Sequence, residues 1–193
     1  MDRPVIYDSK LGDYIRVYKN YFALDFCDDV VKDISKEPWE KHAYYNNVVK
    51  QYKTYSNDLS TSYAEVKGKK FIDDEMGKVF RRYINEDMAH ISWFNDIDDC
   101  SEIRFNRYDP FTEMRIHCDH IKLLFDGERK GIPVLSAVGL LNKKFVGGDF
   151  FICDQKVELS TGDVIIFPSN FLYPHNVTPV KSGIRYSFVS WAW

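Results

Sequence analysis

The stretch Gly162–Trp191, GDVIIFPSNFLYPHNVTPVKSGIRYSFVSW, decides the fold. It holds three apolar runs, Asp163–Phe167, His175–Pro179 and Arg185–Trp191, rich in Val, Ile, Phe and Tyr and too short for helices. Thr161-Gly162, Pro168-Ser169-Asn170 and Ser182-Gly183 punctuate them with turn chemistry. The same texture extends back to Ser101, through Glu102–Tyr108, Glu113–His117, Pro133–Leu141, Asp149–Cys153 and Lys156–Leu159. Their separators are Asp109-Pro110, Gly131 and Gly147-Gly148. Eight short strands after a helical lead-in predict an α+β, mainly β architecture. The expected form is a double-stranded β-helix, or jelly-roll barrel, with N-terminal helices packed on one sheet. Small-molecule sites favour the open mouth of such a barrel.

The lead-in has a different period. Asp25–Ser35 carries Phe26, Val30, Val31 and Ile34 at helical spacing, with Asp25 as its expected N-cap. Phe71–Ile84 repeats the pattern and opens on Asp73, Asp74 and Glu75, charges that suit a helix N-terminus. Residues 44–63, rich in Tyr, Asn, Ser and Lys, show no clear period and read as short edge strands and loops. Lys67, Lys69 and Lys70 read as solvated surface. The whole of 1–193 is expected to be one domain, with 1–100 as lead-in and edge strands and 101–193 as the jelly-roll core.

Bulk properties set the class. A chain of 193 residues can bury a core without covalent staples. Its net charge of −3 offers no footprint for general nucleic-acid binding. Cys27, Cys100, Cys118 and Cys153 form no paired motif and are expected to be reduced thiols. Without an apolar leader or a membrane-length run, the expectation is a soluble cytoplasmic monomer.

Within the strand-rich half, His117-Cys118-Asp119 is followed 56 residues later by His175 and then by Arg185. Two imidazoles and one carboxylate on one face of a metal form the ligand set of a non-haem Fe(II) site. Alternation at a strand end would put His117 and Asp119 on one face and aim Cys118 away. Antiparallel returns would bring His175, Arg185 and Tyr108 towards the same barrel mouth. The competing readings are a turn-flanking histidine and a solvated arginine.

From Arg104 to Trp191 the text RFNRY…IHCD…LSAVGLLN…GGDFFI…GDVIIFPSNFLYPHNVTPVKSGIRYSFVSW resembles the Fe(II)- and 2-oxoglutarate-dependent dioxygenases of the prolyl 4-hydroxylase-like group. The helical half resembles them only loosely. The resemblance implies that His117, Asp119 and His175 hold Fe(II), that Arg185 pairs with the far carboxylate of 2-oxoglutarate, and that Tyr108 is its phenolic partner. Val177 and Trp191 resemble pocket-lining residues, with plain core packing as the other reading. No general acid or base is implied, so His42 and His90 receive no catalytic role.

The cofactors implied are Fe(II), 2-oxoglutarate and O2 as cosubstrates, with ascorbate as an optional addition. The reaction implied is hydroxylation of an unactivated C–H, foremost of a peptidyl proline, coupled to decarboxylation of 2-oxoglutarate to succinate and CO2. Two departures bear on the substrate. Leu140 stands where many members have a Tyr, and Pro133 where peptide-hydroxylating members often carry an Arg. A free amino acid or small metabolite is therefore the alternative substrate, and a non-catalytic binding module the alternative outside enzymes. Residues 44–63 and 122–131 are candidate substrate grips, or else solvated connections.

Overall fold

The computed structural model describes residues 10–46, 51–94, 96–119 and 132–193. The lead-in comprises β1 (Arg16–Tyr18), α1 (Leu24–Ile34), β2 (Glu40–Lys41), β3 (Tyr44–Asn46), β4 (Gln51–Lys53), β5 (Ser60–Ser62) and α2 (Lys69–Arg82). Then come β6 (Arg104–Tyr108), β7 (Met114–His117), β8 (Leu135–Leu140), β9 (Phe145–Gly147), β10 (Phe150–Ile152) and β11 (Gln155–Val157). The chain closes with β12 (Val164–Pro168), β13 (His175–Val177), β14 (Val180–Gly183) and β15 (Arg185–Ala192).

The major sheet has the order β1-β12-β8-β15-β6-β5-β2 and the minor sheet β11-β10-β13-β7, with antiparallel pairing throughout both. Strand alternation splits the major sheet between two cores. On β12, Val164 and Ile166 join α1 and α2, while Ile165 and Phe167 face the minor sheet. β15 does the same, with Phe188 towards the helices and Val189 towards the minor sheet. The result is the expected mainly β jelly roll, with helices on one face of its larger sheet.

The helical face is built on amphipathic spacing. Cys27, Val30 and Ile34 of α1 and Ile72, Met76, Val79 and Phe80 of α2 are buried against it. Gly139, in the middle of β8, makes room for the Phe188 ring, which a Cβ would overlap. Gly139→Ala is therefore expected to destabilise the fold by ~1–3 kcal/mol, the usual cost of overpacking, as a lowered denaturation midpoint.

Several expectations change in detail. Ala23, not Asp25, occupies the N-cap of α1. α2 starts at Lys69, so Asp73, Asp74 and Glu75 lie beyond its first turn, and it runs into a wider π turn, Tyr83–Asp87. Lys69 is not solvated surface. Its side chain is buried, and Nζ donates to Glu65, Glu102 and the Tyr63 carbonyl. Only charge pairing makes a buried ammonium tolerable. The lead-in also supplies β1 on one edge of the major sheet and β5 and β2 on the other. Residues 122–131 lie outside the described residues. Among the described residues no helix is long and apolar enough to cross a membrane.

Candidate metal centre

The minor sheet sets the distance between the two histidines. β13 pairs with β7 in a register that places His175 directly opposite His117. Their ring centroids lie 4.3 Å apart. Asp119 follows two residues after His117, just past the strand end, with its carboxylate 3.4 Å from His117 Nε2 and 3.7 Å from His175 Nε2. One donor atom from each of the three residues falls within 4.8 Å of the others, a cluster that could hold a metal ion.

Hydrogen bonds orient the donors. His117 Nδ1 lies 2.8 Å from the Arg115 carbonyl and His175 Nδ1 3.2 Å from the Tyr173 carbonyl. A carbonyl can only accept, so Nδ1–H donates in both rings and each Nε2 faces Asp119. Ser136 donates to Asp119 Oδ2 at 2.6 Å and is itself tied to Ser169 at 2.7 Å. Burial works to raise the Asp119 pKa. The His117 contact, the neighbouring imidazoles and the Ser136 hydroxyl outweigh it and hold the carboxyl well below the usual range. Burial lowers His175 to about 4 against the pull of Asp119. At neutral pH the cluster is therefore a carboxylate with a neutral His175, the deprotonated state that metal binding requires.

The cluster lines a cleft of about 410 Å³ together with Arg104, Asn106, Tyr108, Val177 and Trp191. Arg185 stands behind this lining. It pairs with Tyr108 across β15 and β6, and its guanidinium lies 4.9 Å from the centre of the Tyr108 ring. It borders an adjoining cavity of about 250 Å³, and Phe150 lines both spaces. Gly148, at φ +61°, lets the turn pass beside the Arg185 stem, where a Cβ would crowd Cδ at 3.1 Å.

Arg185 is 1 % exposed, yet its polar partner is the Ser187 hydroxyl at 2.8 Å, and its Nε is buried without a hydrogen bond. Burial lowers its pKa, but a guanidinium stays charged in proteins. A buried cation with an orphaned donor calls for an anion, and a carboxylate suits its planar fork. Burial raises the pKa of Tyr108, keeping its phenol protonated and able to donate. These side chains fit the chelated metal and the dicarboxylate that the sequence resemblance implies.

The site also holds residues that spacing did not single out. Ser136 and Ser169 carry no motif and reach Asp119 only through the pairing of β8 with β12. Arg104 lies over Trp191 at 4.8 Å. His42, from the lead-in, is pushed down to about 4 by burial, with Arg104 and His117 adding and Asp119 opposing. Its folded-state pKa is below its free value, so stability is lost as pH falls from 6.5 towards 4. In the metal-free protein, His42→Asn is expected to flatten part of that loss, measured as denaturation midpoints across the window. Of residues 44–63, Tyr44 reaches the cleft wall by donating to Met114 Sδ at 3.4 Å, whereas 60–62 are sheet. Cys118 is half-buried with Sγ towards the Phe171 carbonyl.

Residues 103–193 match the family described as the 2OG-Fe(II) oxygenase superfamily. No curated protein matches the chain. Among solved structures, a viral collagen prolyl hydroxylase from Paramecium bursaria Chlorella virus-1, in its 2OG complex, is 16% identical with a TM-score of 0.65, covering 94% of this chain and 96% of its own. A Pseudomonas putida prolyl-4-hydroxylase is 18% identical with a TM-score of 0.65, covering 94% of each chain. A Trichoplax adhaerens prolyl hydroxylase, in complex with a hypoxia inducible factor peptide fragment, is 13% identical with a TM-score of 0.65. That alignment covers 94% of this chain and 84% of the other. Similarity at these identities is similarity of fold.

Proposed function

We propose that this chain, whose residues 103–193 match the 2OG-Fe(II) oxygenase superfamily, is a member of it that hydroxylates an unactivated C–H of a peptidyl proline. It works as a 2-oxoglutarate-dependent dioxygenase of the prolyl 4-hydroxylase-like kind. We read 1–193 as a single catalytic domain acting as a soluble cytoplasmic monomer. The observation that carries the site reading is Arg185: a fully buried guanidinium with an orphaned Nε, behind a cleft that a His-Asp-His cluster lines.

In this reading His117, Asp119 and His175 hold Fe(II) from one side. Arg185 receives the far carboxylate of 2-oxoglutarate, and Tyr108 donates its phenol proton to the same end. When bound, Fe(II) and 2-oxoglutarate supply the oxidation chemistry, in which O2 is consumed, 2-oxoglutarate becomes succinate and CO2, and a substrate C–H becomes C–OH. Val177 and Trp191 wall the cleft and exclude water from it. Ser136 holds Asp119 in place through the Oδ2 that it bonds. Ascorbate would serve only to keep the metal reduced.

A peptide fits the relatives, which are named as prolyl hydroxylases, one of them with a peptide fragment bound. A free amino acid or small metabolite is the second reading. Leu140 favours it, because it lines the Arg185 cavity with an apolar side chain where a polar one would be expected to assist. Mass spectrometry after incubation with proline-containing peptides and with free amino acids separates the two. A gain of one oxygen on peptidyl proline supports the first reading. A gain confined to free amino acids replaces it with the second.

A further inference from the structure

We propose that Arg104 selects the substrate by receiving a carboxylate carried close to the carbon that is hydroxylated. This rests on the hydroxylase reading above and adds the charge of the substrate to it. The inner face of β6 and β15 forms one row of cross-strand pairs: Tyr108 opposite Arg185, Asn106 opposite Ser187, Arg104 opposite Val189. Arg104 and Tyr108 are four residues apart on one strand, about 13 Å at the usual rise per residue. Guanidinium groups thus stand at the two ends of the row, and the cleft holding the metal cluster is lined by its Arg104, Asn106 and Tyr108 side.

The two arginines are prepared differently. Arg185 is sealed in and suits a cosubstrate that is always the same. Arg104 is half-buried, has its guanidinium carbon 4.8 Å from the centre of the Trp191 ring, and donates from Nε to Asn106 Oδ1 at 3.2 Å. The stack and that hydrogen bond fix the plane of the guanidinium and leave the Nη donors for a ligand. No carboxylate among the described residues forms an ion pair with it. The other arginines of β6 and β7 are engaged elsewhere, Arg107 with Asp109 at 2.8 Å and Arg115 with Asp58 at 3.5 Å. His42 faces it as a neutral ring, held there by burial and by Arg104 itself, and so adds no competing charge. Asp119 belongs to the metal cluster. 2-Oxoglutarate, held at one end by Arg185 and at the other by the metal, is too short to reach Arg104 as well.

The carboxylate has two sources, an Asp or Glu beside the target residue in a peptide, or the α-carboxylate of a free amino acid. The probes are capped peptides with proline flanked by Glu or by Gln, and free L-proline against L-prolinamide. Wild type is expected to prefer the acid over its amide by about tenfold or more in kcat/KM, mainly through KM, in at least one pair. A gap in the peptide pair identifies an acidic peptide, and a gap in the proline pair a free acid. Arg104→Met should erase the gap. Arg104→Lys keeps the charge but not the fork, and should shrink the gap at least threefold, which covers failure of the Met variant to fold. Equal turnover of acids and amides by wild type, or a gap unchanged in either variant, overturns the Arg104 assignment and leaves the hydroxylase reading standing. Absence of succinate with every probe overturns both.

Discussion

His175→Ala is expected to abolish metal-dependent turnover and to weaken Fe(II) binding by more than about 100-fold. The ring is 6 % exposed, held by the Tyr173 carbonyl at Nδ1, and packed edge-on against Phe167 at 4.8 Å. Among the described residues the cluster has no fourth member to replace its Nε2, since His117 and Asp119 supply the other two donors. The measurement is anaerobic Fe(II) titration with 2-oxoglutarate present, followed by succinate assay. Near-normal affinity and turnover in this variant would remove His175 from the proposed site.

Arg185→Met carries the second large effect, and its sign depends on what is bound. Without cosubstrate the guanidinium is a buried charge with no counter-ion among the described residues, and among them its Nε has no partner. An apolar side chain of similar length should raise stability by ~1–4 kcal/mol, as seen when unfavourable buried charges are replaced. With cosubstrate the sign reverses. Truncating one partner of a buried, hydrogen-bonded charge pair costs ~2–5 kcal/mol, which converts to a rise of about 30-fold to several thousand-fold in the apparent Kd for 2-oxoglutarate. Fe(II) binding should persist, since Arg185 is not among the cluster residues. Thermal denaturation with and without 2-oxoglutarate reads both halves. Equal stabilisation of wild type and variant by 2-oxoglutarate would show that the dicarboxylate is held elsewhere.

The strand-rich half was legible because alternation and turn residues are local signals. Every run expected from Glu102 to Trp191 overlaps an observed strand. The ribbon of β9 and β14 was missed, since Gly147 and Ser182-Gly183 look like turns and are also the last residues of paired strands. β1 and β2 were missed for another reason, whereas β5 falls within residues 44–63, which read as short edge strands and loops. β1 gains its place by pairing with β12, far away in sequence, β2 gains its own by pairing with β5, and the residues of both show little pattern. Lys69 misled for a similar reason, because one of its carboxylate partners, Glu102, is 33 residues distant. The His, Asp and Arg positions were readable because metal and carboxylate chemistry admits few residue types. Ser136, His42 and Arg104 belong to types found everywhere, and only the sheet register and the docked lead-in bring them to the cleft.

His117 and His175 face one another as a single rung of the β7–β13 ladder. The pair closes the ladder, since His117 is the last residue of β7 and His175 the first of β13, and a slip of one residue would turn one imidazole to the opposite face. The spacing of the two rings is therefore indifferent to the length and composition of the chain between them. Connections that leave Asp119 and its Ser136 contact in place can be lengthened, shortened or exchanged for those of a relative without changing the spacing of the two rings. Substrate preference in this protein should be open to redesign by grafting loops, while the register of two short strands keeps the reaction the same.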